Sequence, residues 1–143
     1  MPVIDLLFNL LWIVCGGLWM AIAWVCAGIV MALTIIGLPW ARAAFTIAHY
    51  TLLPFGRRAV SRAEWRGRED LGTGAFGTLG NLIWLVLAGW WLMLGHLAIA
   101  LALAASIIGI PFAWAHLKLA GLALWPIGKM IVPYDAHPRG FMR

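Results

Sequence analysis

The chain contains one pattern twice, 72 residues apart and without a gap. Residues 9–60 overlay residues 81–132, and 18 of the 52 paired positions are identical. A composition this biased would give roughly five by chance. The matches cluster as N-L-x-W at the start, I-I-G-x-P in the middle and P-x-G-[RK] at the end. A repeat of this kind constrains the architecture before any single residue is interpreted, because each copy must form the same unit and bury its apolar face against a neighbour. The sequence divides into a first repeat (1–60), an Arg-rich loop (61–72), a second repeat (73–132) and a basic tail (133–143).

Apolar residues make up 64% of the chain and charged ones 10%, with ten Trp in 143 positions. So few charges do not cover the surface of a soluble domain with this core. Residues 6–41 and 71–117 carry no Asp, Glu, Lys or Arg. Each stretch exceeds the ~20 apolar residues that cross a bilayer core, so the expectation is an integral membrane protein. Met1–Asp5 carries Asp5 and no cation, and Trp12-Ile13-Val14 precede Cys15. The expectation is therefore a retained membrane segment rather than a cleaved signal. Cys15 and Cys26 lie about three helical turns apart, too far for an internal disulfide.

Each repeat has a long apolar part, Leu6–Ile36 and Asn81–Ile108, and a short part between prolines, Pro39 to Pro54 and Pro111 to Pro126. A long part of about 28 residues makes roughly 42 Å of helix, more than a core of about 30 Å requires. A short part of about 15 residues makes roughly 22 Å, a short span or a re-entrant segment shielded by protein. Eight of the fifteen charges fall in Arg57–Asp70. If only the long helices crossed, this loop and the tail would lie on opposite faces. The positive-inside rule prefers them on one. The expected fold is thus an all-α integral membrane protein with two tandem repeats, each a long transmembrane helix plus a short Pro-bounded helix. Four membrane-embedded helices would form two parallel-topology hairpins with both termini cytoplasmic.

Ser106-Ile107-Ile108-Gly109-Ile110-Pro111, Ala123-Leu124-Trp125-Pro126-Ile127-Gly128-Lys129, Asn81, Trp84 and Gly89-Trp90-Trp91 resemble the YccF family of small bacterial inner-membrane proteins. The first half carries the same signature more loosely. The resemblance implies a multi-pass inner-membrane protein built from a recurring short domain, with no catalytic or binding residues to carry over.

Candidate chemistry lies where the halves differ. Lys118 and His116 fall inside the second short segment, where Lys is costly and faces a bundle interior, an aqueous path, or snorkels to headgroups. Arg42 and His49 occupy the first short segment. His49 and His96 read as isolated groups satisfied within the protein, and no Cys or carboxylate stands at metal-ligand spacing, so no metal site is expected. Asn9 and Asn81, shared by both repeats, either bond a neighbouring helix or line a pathway. Gly37, Pro39, Gly109 and Pro111 mark a tight turn or a broken helix with ion-binding carbonyls. Gly72-x-Gly74-x-x-Gly77 follows no strand, so it is not a dinucleotide site. Trp12/Trp19 and Trp84/Trp91 form a packing or interfacial stripe.

All five carboxylates lie outside the apolar segments with no nucleophile–base pair, so no enzymatic activity and no cofactor are expected. The pI near 10 follows from the loop cations and does not call for nucleic acid. The leading functional expectation is a homo-oligomeric channel or transporter-like pore for a small ion or solute. The alternative is a membrane scaffold or accessory subunit whose Arg57, Arg58, Arg62, Arg66 and Arg68 dock a cytoplasmic protein partner or anionic lipid headgroups.

Overall fold

The computed structural model describes residues 2–138, so the tail cations Arg139 and Arg143 lie outside the described residues. The first long helix comprises α1 (Val3–Trp12), a π-bulge at Ile13–Gly17 and α2 (Leu18–Leu33). The short helix α3 (Leu38–Leu52), strand β1 (Arg57–Ser61) and a single turn α4 (Arg62–Arg66) follow. The second repeat supplies α5 (Gly74–Trp84), a π-bulge at Leu85–Gly89, α6 (Trp90–Ala104), α7 (Ile110–Leu124) and β2 (Lys129–Pro133). Two helices, Val3–Leu33 and Gly74–Ala104, are long and apolar enough to cross a membrane.

The shared punctuation has a local physical cause in each copy. At the first turn, the Thr34 hydroxyl donates to the Met31 carbonyl (2.7 Å) and accepts from Gly37 N–H (3.0 Å). Ser106 repeats both contacts with Leu103 and Gly109. A side chain at Gly37 or Gly109 would run into the backbone carbonyl of Met31 or Leu103. Pro39 and Pro111 then enter the first turn of α3 and α7, where no N–H is needed. At the exits, Pro54 and Pro126 stop the helices. Gly56 and Gly128 turn the chain into the strands at φ +81 and +89, a region open to glycine.

The two bulges also share one cause. The Trp12 indole fills the space that a Gly17 side chain would occupy, and Trp84 lies against Gly89. Trp12 Nε1 donates to Thr51 O (2.6 Å) and Trp84 Nε1 to Ala123 O (2.8 Å), residues that are themselves 72 apart. The widened turn accepts an indole and fastens each long helix to its own short one.

The strands are a departure from the all-α expectation. Arg57–Ser61, read from the sequence as part of a loop, pairs antiparallel with Lys129–Pro133. The partners are 68 to 76 residues away, so no local hairpin signal announces them. Ala59 faces Ile131, its own repeat counterpart, and Arg57 and Ser61 face Pro133 and Lys129. A pseudo-two-fold axis therefore passes through the Ala59–Ile131 pair. It passes again through the hydrogen bond from Trp24 Nε1 to its own counterpart, His96 Nε2 (3.1 Å).

Contacts across that axis set the helices relative to the ribbon. The first turn of α3 packs Trp40 on Gly80 and Phe76 of the other repeat. Its last turn runs through Pro54 into β1. The first turn of α7 likewise packs Phe112 on Phe8 and Phe55. Each short helix thus starts beside one end of the ribbon and finishes at the other. Ala59 and Ile131 close the inner face of the ribbon against a core of Trp12, Tyr50, Phe112 and Leu119. The larger core joins Trp24, Met31, Ile47, Trp84 and Leu92.

Candidate functional site

The buried amides and imidazoles make structural contacts, while the Thr51 hydroxyl and the Trp40 indole N–H are buried without a hydrogen-bond partner. Asn9 is fully buried, donates to Phe55 O (3.2 Å) and accepts from Phe55 N–H (3.0 Å). Asn81 does the same with Ile127, and also donates to Gly77 O. Each amide pins the entry of a long helix to the exit of its short one. Both bonding capacities are used inside one repeat, and Asn81 also lines an open cavity of about 180 Å³ with Ser61, Thr73 and Thr78.

His96 and His116, from separate helices, meet at the centre of the fold with Nδ1 to Nδ1 at 2.9 Å. Indole can only donate, so His96 Nε2 accepts from Trp24 and its proton sits on Nδ1, donated to His116 Nδ1. His116 then carries its proton on Nε2, which faces the Cys15 carbonyl at 3.4 Å. That carbonyl is free because the first bulge opens there, with Gly16 at φ +108. Its counterpart Ala88 sits in the second bulge, which keeps helical backbone angles throughout. Sequence reading treated His96 as isolated. The signal available was complementarity: a donor, Trp24, and an acceptor, His96, at the same repeat position.

The remaining candidates lie on the ribbon side. Arg42, Thr46 and His49 form the exposed stripe of α3, and Trp114, Lys118 and Gly121 the matching stripe of α7. Lys118 Nζ sits 5.7 Å from the Trp114 ring. Arg57 Nη1 lies 3.1 Å from His49 Nε2. Arg58 Nη2 donates to Ala136 O (3.0 Å). Arg62 pairs with Asp70 at 2.6 Å and Arg66 reaches the same carboxylate at 4.0 Å, while Arg68 is exposed. The hydrogen bond from Arg62 holds the Asp70 carboxyl below its ordinary range.

Two open cavities flank the ribbon. One of about 420 Å³ is lined by Tyr50, Arg57, Arg58, Lys118, Trp125 and Lys129, among others. The other, about 380 Å³, brings Arg42 and Thr46 of α3 to Arg62, Arg66, Asp70 and Lys129. A third, about 800 Å³, places Pro2 and Asp5 beside Arg57 and Tyr134–Asp135. The amino-terminal turn, β1 and the start of the tail are therefore neighbours. Among the described residues, no three His, Cys, Asp or Glu converge as a metal site would require.

Two long apolar helices in a duplicated unit, both free of Lys and Arg, are those of a membrane protein. Comparison with known proteins agrees. The YccF family, described as an inner membrane component domain, matches residues 7–57 and again 79–129. The chain is 39% identical over 130 residues to "Inner membrane protein YccF" of Escherichia coli (strain K12), covering 89% of this chain and 86% of that one. The protein of the same name from Shigella flexneri matches to the same extent. No solved structure matches. The chain belongs to the YccF family.

Proposed function

We propose that this inner-membrane protein is a non-enzymatic docking module. It is embedded from one face and presents its cationic side, at the cytoplasmic surface, to anionic headgroups or an acidic partner. One observation carries this reading: Arg42, Arg57, Arg58, Arg62, Arg66, Lys118 and Lys129 line cavities around the ribbon, while the buried Asn9, Asn81, His96 and His116 are hydrogen-bonded inside the protein. Placing the ribbon at the surface puts the polar stripes of α3 and α7 in the interface, in the manner of amphipathic interfacial helices. It also leaves the two free edges of the ribbon in water, where their backbone groups are solvated. The N-terminal turn, the loop and the tail then share one face, as the charge distribution favours. Four full crossings would instead separate the two ends of α3, both of which touch the ribbon.

A second reading has its own support. The short helices run the length of the ribbon, so if they stand upright, the same polar side lines the lumen of an oligomeric pore. Cysteine accessibility separates the two. With Cys15 and Cys26 replaced, a membrane-impermeant thiol reagent added from outside intact cells should reach neither Arg62→Cys nor His137→Cys, at opposite ends of the ribbon. Labelling of one of them from outside supports the upright pore. Labelling of Ile35→Cys or Ile107→Cys, at the exposed apolar turns, restores the four-crossing arrangement.

A further inference from the structure

Resting on that docking reading, we propose that the cavity beneath β1 is a binding site for a phosphate group, supplied by an anionic lipid headgroup. Four cations, Arg57, Arg58, Lys118 and Lys129, converge on about 420 Å³ together with Tyr50 and Trp125, and no carboxylate lines it. Among the described residues, the ion pairs of the chain are those of Arg62 and Arg66 with Asp70, so these four cations have no carboxylate to neutralise them. Like charges held together without a counter-ion are costly at low dielectric. A phosphate oxygen is the group that relieves this, through charge-assisted hydrogen bonds to guanidinium and ammonium.

Two further observations point the same way. Arg58 Nε is buried with no partner, although its guanidinium is held over the Tyr134 ring at 5.7 Å and tied to Ala136 O at 3.0 Å. The cavity also straddles the pseudo-two-fold, bringing Arg57 to its counterpart Lys129 and Tyr50 to its counterpart Leu122, and Lys118 is a cation that breaks this symmetry. Thr46 stands at the counterpart position of Lys118 and lines a neighbouring cavity, where Asp70 already occupies Arg62. Lys118 thus sets this site apart from the shared pair Arg57 and Lys129. The edge of the site is apolar: Leu122 lines the cavity, and Leu117 is exposed on the same helix. An acyl chain can leave the headgroup along that surface. A cationic pocket between helices at the membrane face suits an anionic headgroup.

The test titrates the purified full-length protein in non-ionic detergent with short-chain phosphatidic acid, phosphatidylcholine of the same chain length, and inorganic phosphate. Phosphatidic acid should bind more tightly than phosphatidylcholine, and increasingly so at low salt. Lys118→Met and Lys129→Met should each weaken it about tenfold or more, the equivalent of one charge-assisted contact. Lys118→Arg should keep it, and Arg42→Ala/Arg66→Ala should leave it unchanged. Inorganic phosphate that competes as well as the lipid assigns the site to a soluble phosphate compound. Loss of binding in Arg42→Ala/Arg66→Ala with none in the lysine variants overturns the cavity assignment but leaves docking standing. Equal binding of both lipids to the unmodified protein overturns docking as well. Unchanged circular dichroism melts show that the variants remain folded.

Discussion

At the scale of single residues, the repeat's conserved polar groups hold backbone, and the groups that differ make the unusual contacts. Asn9 and Asn81 each satisfy both backbone groups of a residue 46 positions away. Asn9→Ala or Asn81→Ala strands those groups in an apolar setting, and should cost about 1–3 kcal/mol in detergent unfolding titrations. A change below a few tenths would remove the pinning role. His96 and His116 depend on each other in the same way. His116→Leu leaves the His96 Nδ1 proton without an acceptor, so each single Leu variant should destabilise more than half as much as the pair together. Additive losses would show that the 2.9 Å contact carries no coupling. Outside the membrane segments, Arg62 keeps Asp70 ionised below its ordinary value of 3.8. That lowered value stabilises the folded loop at any pH above 3.8, and the contribution is lost as pH falls further. Asp70→Asn should therefore alter the fluorescence of Trp65 at pH 7, with the difference from the parent protein vanishing in strong acid.

At the scale of elements, glycine and proline were legible because their effects are local. Pro ends a helix through its own ring, and Gly-x-Pro closes a turn within four residues, so both copies announced their breaks. Thr34 and Ser106 cap the same turn with the same hydroxyl contacts, but as different residue types they do not stand out as a match between the repeats. The π-bulges could not be read at all. A glycine within an apolar helix has many uses, and only the position of the Trp12 and Trp84 rings shows that Gly17 and Gly89 make room for an indole. Gly17→Ala should accordingly displace Trp12 and break its 2.6 Å bond to Thr51, lowering stability by more than the helix propensity gain of about 1 kcal/mol that alanine usually brings. The strands were hidden for a different reason: each of five residues pairs with a partner 68 to 76 positions away. In a variant lacking Cys15 and Cys26, Ala59→Cys with Ile131→Cys should oxidise to an intramolecular disulfide, because directly opposed residues have suitable Cα spacing. Equal yield from the off-register pair Ala59→Cys/Lys129→Cys would contradict the register.

At the scale of the whole molecule, duplication supplied two copies of a helical unit, and the pseudo-two-fold turned them antiparallel around one ribbon. Hydropathy alone finds the two long helices but is indifferent to which way each returns. Sequence charge placed the loop and tail on one face without revealing that α3 and α7 run along the ribbon. What decides the arrangement is contact across the axis, Trp40 on Gly80 and Phe112 on Phe55, which no single repeat encodes. Lys118, where the repeats differ, then joins the counterparts Arg57 and Lys129 in a cavity that no carboxylate lines. Embedding from one face is the central claim, and the most direct measurement is accessibility at the two ends of the ribbon in the membrane. Arg62→Cys and His137→Cys, each in a chain without Cys15 and Cys26, should both be shielded from an impermeant reagent outside intact cells and both react once the cytoplasmic side is opened. Reaction of either one from outside would contradict it.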